Sequence, residues 1–166
     1  MFSTTFKPVL ILAMLVTAAI CWLTAATANP ASGGNGIVRV KSSFSTDETI
    51  QRLKADIEKK GIKFFLAIDQ TELGTAASLS INRSTLLLFG NSALGIQFLT
   101  SNPEAGIDWP VRLLVIEDSN HQVWTIYNDF NWIKTRHGIG DRDQQFQMAT
   151  DVIHSITSSV TQRDAP

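Results

Sequence analysis

The 166-residue chain carries 14 Lys and Arg against 15 Asp and Glu, three His and one Cys, for a formal net charge of −1. That length holds one domain, and the balanced charge excludes a polybasic nucleic-acid binder and an acidic disordered tail. A hydrophobic fraction of 44% is that of a globular chain, and a lone Cys excludes an internal disulfide framework and a Cys-rich zinc site.

The first residues read as a targeting segment. Lys7 supplies positive charge, Val9 to Ala26 runs without a charge, and Ala26-Thr27-Ala28 is the small-residue pattern that signal peptidase reads. The expectation is a signal peptide over 1–28, placing the protein in the periplasm or outside the cell. The alternative is an uncleaved membrane anchor formed by residues 9–26, since an apolar run of about 18 residues just spans a bilayer. Cys21 follows Ile20, which is too large for a lipobox. Residues 29–36 (NPASGGNG) have the composition of a flexible linker, so the folded domain is expected over 37–160, with a frayed tail over 161–166.

Val38, Arg39, Val40 and Lys41 alternate as in a strand. Ser45-Thr46-Asp47-Glu48 is a capping box that opens a helix, Ile50, Leu53 and Ile57 give it one apolar stripe, and Gly61 ends it. Ile62 to Ile68 reads as a strand, Thr71 to Ala77 as either a helical turn or a loop, and Thr85 to Phe89 as a buried strand closed by Gly90-Asn91. Ala93 to Thr100 fits a short helix. Val111 to Glu117 and Val123 to Tyr127 form a hairpin, the first strand apolar on both faces and so expected to be covered on both. Asp129 caps a helix that runs to His137 and stops at Gly138. Asp141 is expected to open the last helix, where Phe146, Ala149, Ile153, Ile156 and Val160 recur at helical spacing. The order predicts an α+β fold: one compact domain with an antiparallel or mixed sheet of about five strands and helices mainly on one face.

Five blocks in order carry a resemblance. They are Phe65-Leu66-Ala67-Ile68-Asp69, Leu87-Leu88-Phe89-Gly90-Asn91, Ile107-Asp108-Trp109-Pro110-Val111-Arg112, Val123-Trp124 through Tyr127, and Arg136-His137-Gly138. Together, from Phe44 to Ser158, the chain resembles the domain-of-unknown-function family 302. The resemblance implies a compact α+β domain, often exported in bacteria, and implies no established activity. Gln70 stands where the family usually has His, Ser92 where it has Pro, and Trp109 where it has an aliphatic residue.

No H-E-x-x-H, G-x-S-x-G or complete phosphate-cradling glycine motif occurs. His121 lies in the polar hairpin loop beside Glu117 and Asp118, and no metal site or cofactor is expected. The candidate binding residues are the polar groups at strand ends and on the short helix: Asp69, Gln70, Asn91, Asp108, Arg112 and His137. Asp69, Asn91, Asp108 and Arg112 could line one pocket, with Arg112 partly buried and needing Asp108, Asp69 or Glu117 as a partner. Against this, Asp and Asn in turns often bond only their own backbone. His137 fits a hydrogen-bonded residue at a helix end, Arg136 a stacking partner for Trp132, and Tyr127 a packed ring whose hydroxyl finds a partner.

Three functional readings stay open. The first is an exported, non-catalytic domain that binds a small ligand or a protein partner. The second is a small hydrolase or isomerase using Asp69, Asp108 or His137 as acid or base. The third is a structural, self-associating domain, a homodimer for example, marked by an uncovered apolar sheet face. No nucleic-acid partner is expected, and membrane contact only through an uncleaved N-terminal segment.

Overall fold

A computed structural model of the chain describes residues 34–161. The expected leader, the first part of the linker and residues 162–166 of the tail lie outside the described residues.

The strands are β1 (Ile37–Lys41), β2 (Lys63–Asp69), β3 (Ser84–Gly90), β4 (Val111–Glu117) and β5 (Val123–Asn128). The helices are α1 (Thr46–Lys59), α2 (Gln70–Ala76), α3 (Ser92–Ser101), α4 (Phe130–Arg136) and α5 (Asp143–Ser158), with a 3-10 helix over Pro103–Asp108. The strands form one five-stranded sheet in the order β1-β5-β4-β3-β2, every neighbouring pair antiparallel. This is the expected α+β architecture.

Local chemistry explains the elements. The Ser45 hydroxyl accepts from the Glu48 amide at 3.3 Å at the start of α1, and Gly61 takes a left-handed φ of 67° beyond its end. The Glu48 carboxylate takes Arg52 Nε at 3.0 Å. Asp69 Oδ1 caps α2 through the amides of Thr71 and Glu72, Asn91 Oδ1 caps α3 through Leu94, and Asp129 Oδ1 caps α4 through Asn131 and Trp132. The stretch left open as turn or loop is therefore a capped helix. The last helix departs from expectation. It starts at Asp143 with Arg142 as an uncapped N-cap, because Asp141 is drawn away: its Oδ1 accepts from Ser101 Oγ at 2.7 Å and its Oδ2 from Arg142 Nη1 at 2.6 Å.

One face of the sheet and the helices make the core. Val38, Thr125, Tyr127, Leu113, Val115, Leu87 and Phe89 turn inward, onto Leu53 and Ile57 of α1 and Phe146, Ile153 and Ile156 of α5. Fully buried Leu and Ile side chains of this kind each contribute about 1.5–3 kcal/mol. Phe98 of α3 stacks on Phe146 of α5 at 4.3 Å between ring centroids. Gly36, at the end of the linker segment, is buried against Trp132, and its carbonyl accepts from the Asp129 amide at 2.8 Å.

The opposite face corrects one expectation. β4 is the central strand, but helices cover only its inner side. Arg112 is exposed, and Leu114 and Ile116 are half-buried. Across the sheet, Ile68, Leu86, Leu114 and Ile126 lie in register as one aliphatic row ending at Arg39. Among the described residues no layer lies above the apolar residues on this side.

Candidate binding cavity beside the buried Asp108 cluster

A cavity of about 630 Å³ opens between α3, α5 and the end of the sheet where β3 finishes and β4 begins. Its walls are mainly apolar, with Phe89, Phe98, Val111, Ile133, Ala149 and Ile153 inside. Exposed Ala93, Met148 and Ser155 stand at its mouth with Lys60 and Asp151. A cavity of several hundred Å³, apolar with few polar groups, is the usual form of a small-molecule site.

Its polar end is built by Asp108, the last residue of the 3-10 helix. The Asp108 side chain is only 3% exposed. His137, which ends α4, donates from Nε2 to Asp108 Oδ2 at 2.7 Å, and Arg136 Nη1 donates to the same oxygen at 3.3 Å. Because a carboxylate only accepts, this bond fixes the proton of His137 on Nε2. The His137 side chain is 5% exposed. Arg136 also lies over the Trp132 ring, 5.3 Å from its centroid, as expected from the helical spacing. Asn102 holds the two segments together, donating from Nδ2 to the His137 carbonyl at 2.9 Å. The second carboxyl oxygen, Asp108 Oδ1, is buried and has no hydrogen-bond partner among the described residues. Orphans of this kind are rare in folded proteins and call for an explanation.

Trp109 shapes the same wall. Its indole lies against Gly90 and Gly95, so closely that a Cβ on Gly95 would collide with the ring. Phe65 packs edge-on against it at 5.9 Å. The bulky residue that departs from the family pattern is thus accommodated by a glycine on α3.

The structure divides the candidate residues. Asn91 and Asp108 line the cavity, and His137 stands behind Asp108. Asp69 and Gln70 lie at the other end of the sheet, where Asp69 pairs with Thr85 while Gly90 pairs with Lys63. The antiparallel pairing of β2 with β3 separates the ends of the two strands, so the four-residue pocket does not form. Asp69 caps α2, and Gln70 Oε1 accepts from Ser84 Oγ at 2.7 Å. Arg112 is exposed rather than buried, and its guanidinium donates to the Ile107 carbonyl instead of a carboxylate. Tyr127 also departs from expectation: its ring is buried, but its hydroxyl has no partner among the described residues, and burial pushes the phenol well above its ordinary pKa. His121 is exposed in the hairpin loop with φ at 58°, its Nδ1 2.6 Å from Glu117 Oε1. Among the described residues no cluster of His, Cys, Asp and Glu is placed to hold a metal ion.

Sequence reasoning missed the assembly rather than its members. Asp108 and His137 lie 29 residues apart on different elements, and no local spacing reports their pairing. Trp109, Gly95 and the cavity walls on α3 and α5 carried no signal beyond ordinary apolar periodicity.

The fold and this cavity define a small α+β domain with helices on one side of an antiparallel sheet. The chain belongs to the family described as domain of unknown function DUF302, whose model matches residues 38–156. Among solved structures it is similar to the uncharacterized conserved DUF302 protein from Bacillus stearothermophilus, with a TM-score of 0.69 and 16% identity over 75% of this chain and 98% of that one. At that identity the likeness speaks for the fold. Among curated proteins it is similar to the fluoride-specific ion channel FluC 1 of Brucella suis biovar 1 (strain 1330), 33% identical over 106 residues, 64% of this chain and 42% of that protein. The fluoride-specific ion channel FluC 1 of Brucella abortus biovar 1 (strain 9-941) matches at 33% over 106 residues, covering 39% of its length. The chain spans about two-fifths of the length of these curated relatives. Among the described residues, no helix is long and apolar enough to cross a membrane.

Proposed function

We propose that this domain is a non-catalytic binding module that holds a small, largely apolar molecule in the cavity between α3, α5 and the sheet. The observation that carries the reading is the cavity itself: about 630 Å³, apolar inside, with a single buried carboxylate at one end. The acid/base alternative has less support. His137 is sealed behind Asp108 with Nε2 engaged, and it does not line the cavity. Fluoride conduction belongs to the curated relatives, more than half of whose length lies beyond the match. The charge-free run from Val9 to Ala26 and the Ala26-Thr27-Ala28 site support export to the periplasm or beyond.

Titration with the polarity-sensitive dye Nile red tests the binding reading. Wild-type protein should bind one equivalent with a blue-shifted emission. Ala93→Trp, a substitution at an exposed position on the mouth, should weaken binding by at least about tenfold while leaving the fold intact. Dye binding that ignores Ala93→Trp, or no binding at all, would contradict the proposal.

A further inference from the structure

We infer that the open face of the sheet docks, lying flat, on an anionic lipid surface. The inference goes beyond the cavity and does not depend on it, and the contact needs no part of the N-terminal segment.

The strands sort their charges by face. Asp69 and Glu117 are the acidic residues within the five strands, and they pair with Thr85 and Val123 on the helical side. The basic residues go the other way. Arg39 ends the aliphatic row, and Lys41 and Arg112 stand two residues along their strands from Arg39 and Leu114, so both share that face. Lys63 pairs with Gly90, the neighbour of inward-facing Phe89, and joins them. All four cations are exposed.

None of the four has a carboxylate within ion-pair distance among the described residues, whereas Arg52, Lys60, Arg83, Lys134, Arg136 and Arg142 each hold one. Arg39 lies over the Trp124 ring, 4.9 Å from its centroid, and Lys63 over the Phe65 ring at 5.2 Å. Arg112 donates to the Ile107 carbonyl. These contacts leave the charges in place. Asp118, in the hairpin beyond β4, borders the face, where its Oδ2 accepts from Trp124 Nε1 at 2.8 Å and it feels the charge of Arg39. It answers nothing at the opposite edge.

The spacing of the cations selects the partner. Arg39 and Lys41 lie on β1 and Lys63 on β2, the two edges of the sheet, on the order of 19 Å apart at the usual strand spacing. Between them lie half-buried Leu86, Leu114 and Ile126, and Leu66 beside them is 46% exposed. A plane of lipid phosphates meets both edges at once, while the apolar strip and the Trp124 and Phe65 rings sit at the headgroup layer. An acidic helix of a partner protein, about 10–12 Å wide with its side chains, leaves one edge unanswered. A second copy of the chain brings the same charges and is repelled.

Methyl-labelled NMR of the full chain with bicelles tests the inference. The bicelles are phosphatidylcholine, alone or with about one third phosphatidylglycerol, and carry a spin-labelled lipid. Anionic bicelles should broaden the methyl signals of Leu66, Leu86, Leu114 and Ile126 saturably, and leave Leu94 and Val152 on the helical side sharp. The double variant Lys41→Gln/Lys63→Gln replaces exposed side chains without carboxylate partners, so the fold should be kept. Its binding to anionic bicelles should be weaker by at least about tenfold. Broadening of the face that is equal in the two lipids, centred on the helical side, absent, or unchanged in the double variant would overturn the inference. A face that responds to soluble poly-glutamate and not to anionic bicelles would overturn it in favour of an acidic protein.

Discussion

Two buried oxygens without partners among the described residues set the residue-scale chemistry, and they have different consequences. Asp108 belongs to the cavity wall, but its Oδ1 is closed off from solvent. Tyr127 lies on the inner face of β5, paired with Val38 and Leu113 on the flanking strands, and its hydroxyl is buried. Removing that hydroxyl deletes an unsatisfied group without losing a bond, so Tyr127→Phe should leave stability unchanged or raise it by about 1 kcal/mol in denaturant unfolding. A loss of more than about 1 kcal/mol would mean that the hydroxyl is satisfied after all. The pH dependence has a definite sign. Burial, reinforced by Asp129, raises the folded-state pKa of Tyr127 above its unfolded value. Its contribution is therefore complete below pH about 10 and is lost as pH rises beyond that, and Tyr127→Phe should flatten this alkaline decline. The sequence pointed to a packed ring correctly, but whether a hydroxyl finds a partner depends on elements far away in the chain.

At the scale of elements, caps and stripes were legible because they are local. Ser45, Asp129, Gly61 and Gly138 act where their spacing places them, and Leu53, Ile57, Phe146, Ile153 and Ile156 are all buried. What spacing did not report is how elements meet. Asp141 leaves the helix it was expected to cap because Ser101 and Arg142 compete for its carboxylate. Asp69 and Asn91 both cap helices but stand at opposite ends of an antiparallel pair. The contact of Trp109 with α3 is of the same kind. Gly95→Ala places a methyl group against the indole ring, and the ring and helix must move apart. The expected cost is about 1–3 kcal/mol, as for overpacking in general, with a change in Trp fluorescence as the ring shifts. Unchanged stability and emission in Gly95→Ala would show that this wall is not tightly packed.

At the scale of the whole fold, the helices on one face leave the other face of the sheet open among the described residues. Its aliphatic row of Ile68, Leu86, Leu114 and Ile126 is the feature that the self-association reading required. The charged residues that the strands turn outward are cations, with Arg39, Lys41 and Arg112 among them, and two copies laid face to face would bring like charges together. The helical side offers a different surface, an open-mouthed cavity with mainly apolar walls. The fold class was readable because alternation and helical periodicity each point to one buried face. The cavity was not, because an apolar residue on a helix looks the same in sequence whether it faces a neighbour or a space.

The central claim is that the ligand surface is the cavity and not the open sheet, and methyl-labelled NMR during a Nile red titration addresses it directly. The account predicts saturable shifts at Leu94, Val111, Ile133, Val152 and Ile153, which line the cavity, and none at Ile68, Leu86, Leu114 and Ile126 on the open face. Shifts confined to the open-face methyls, or no saturable shifts at all, would contradict it.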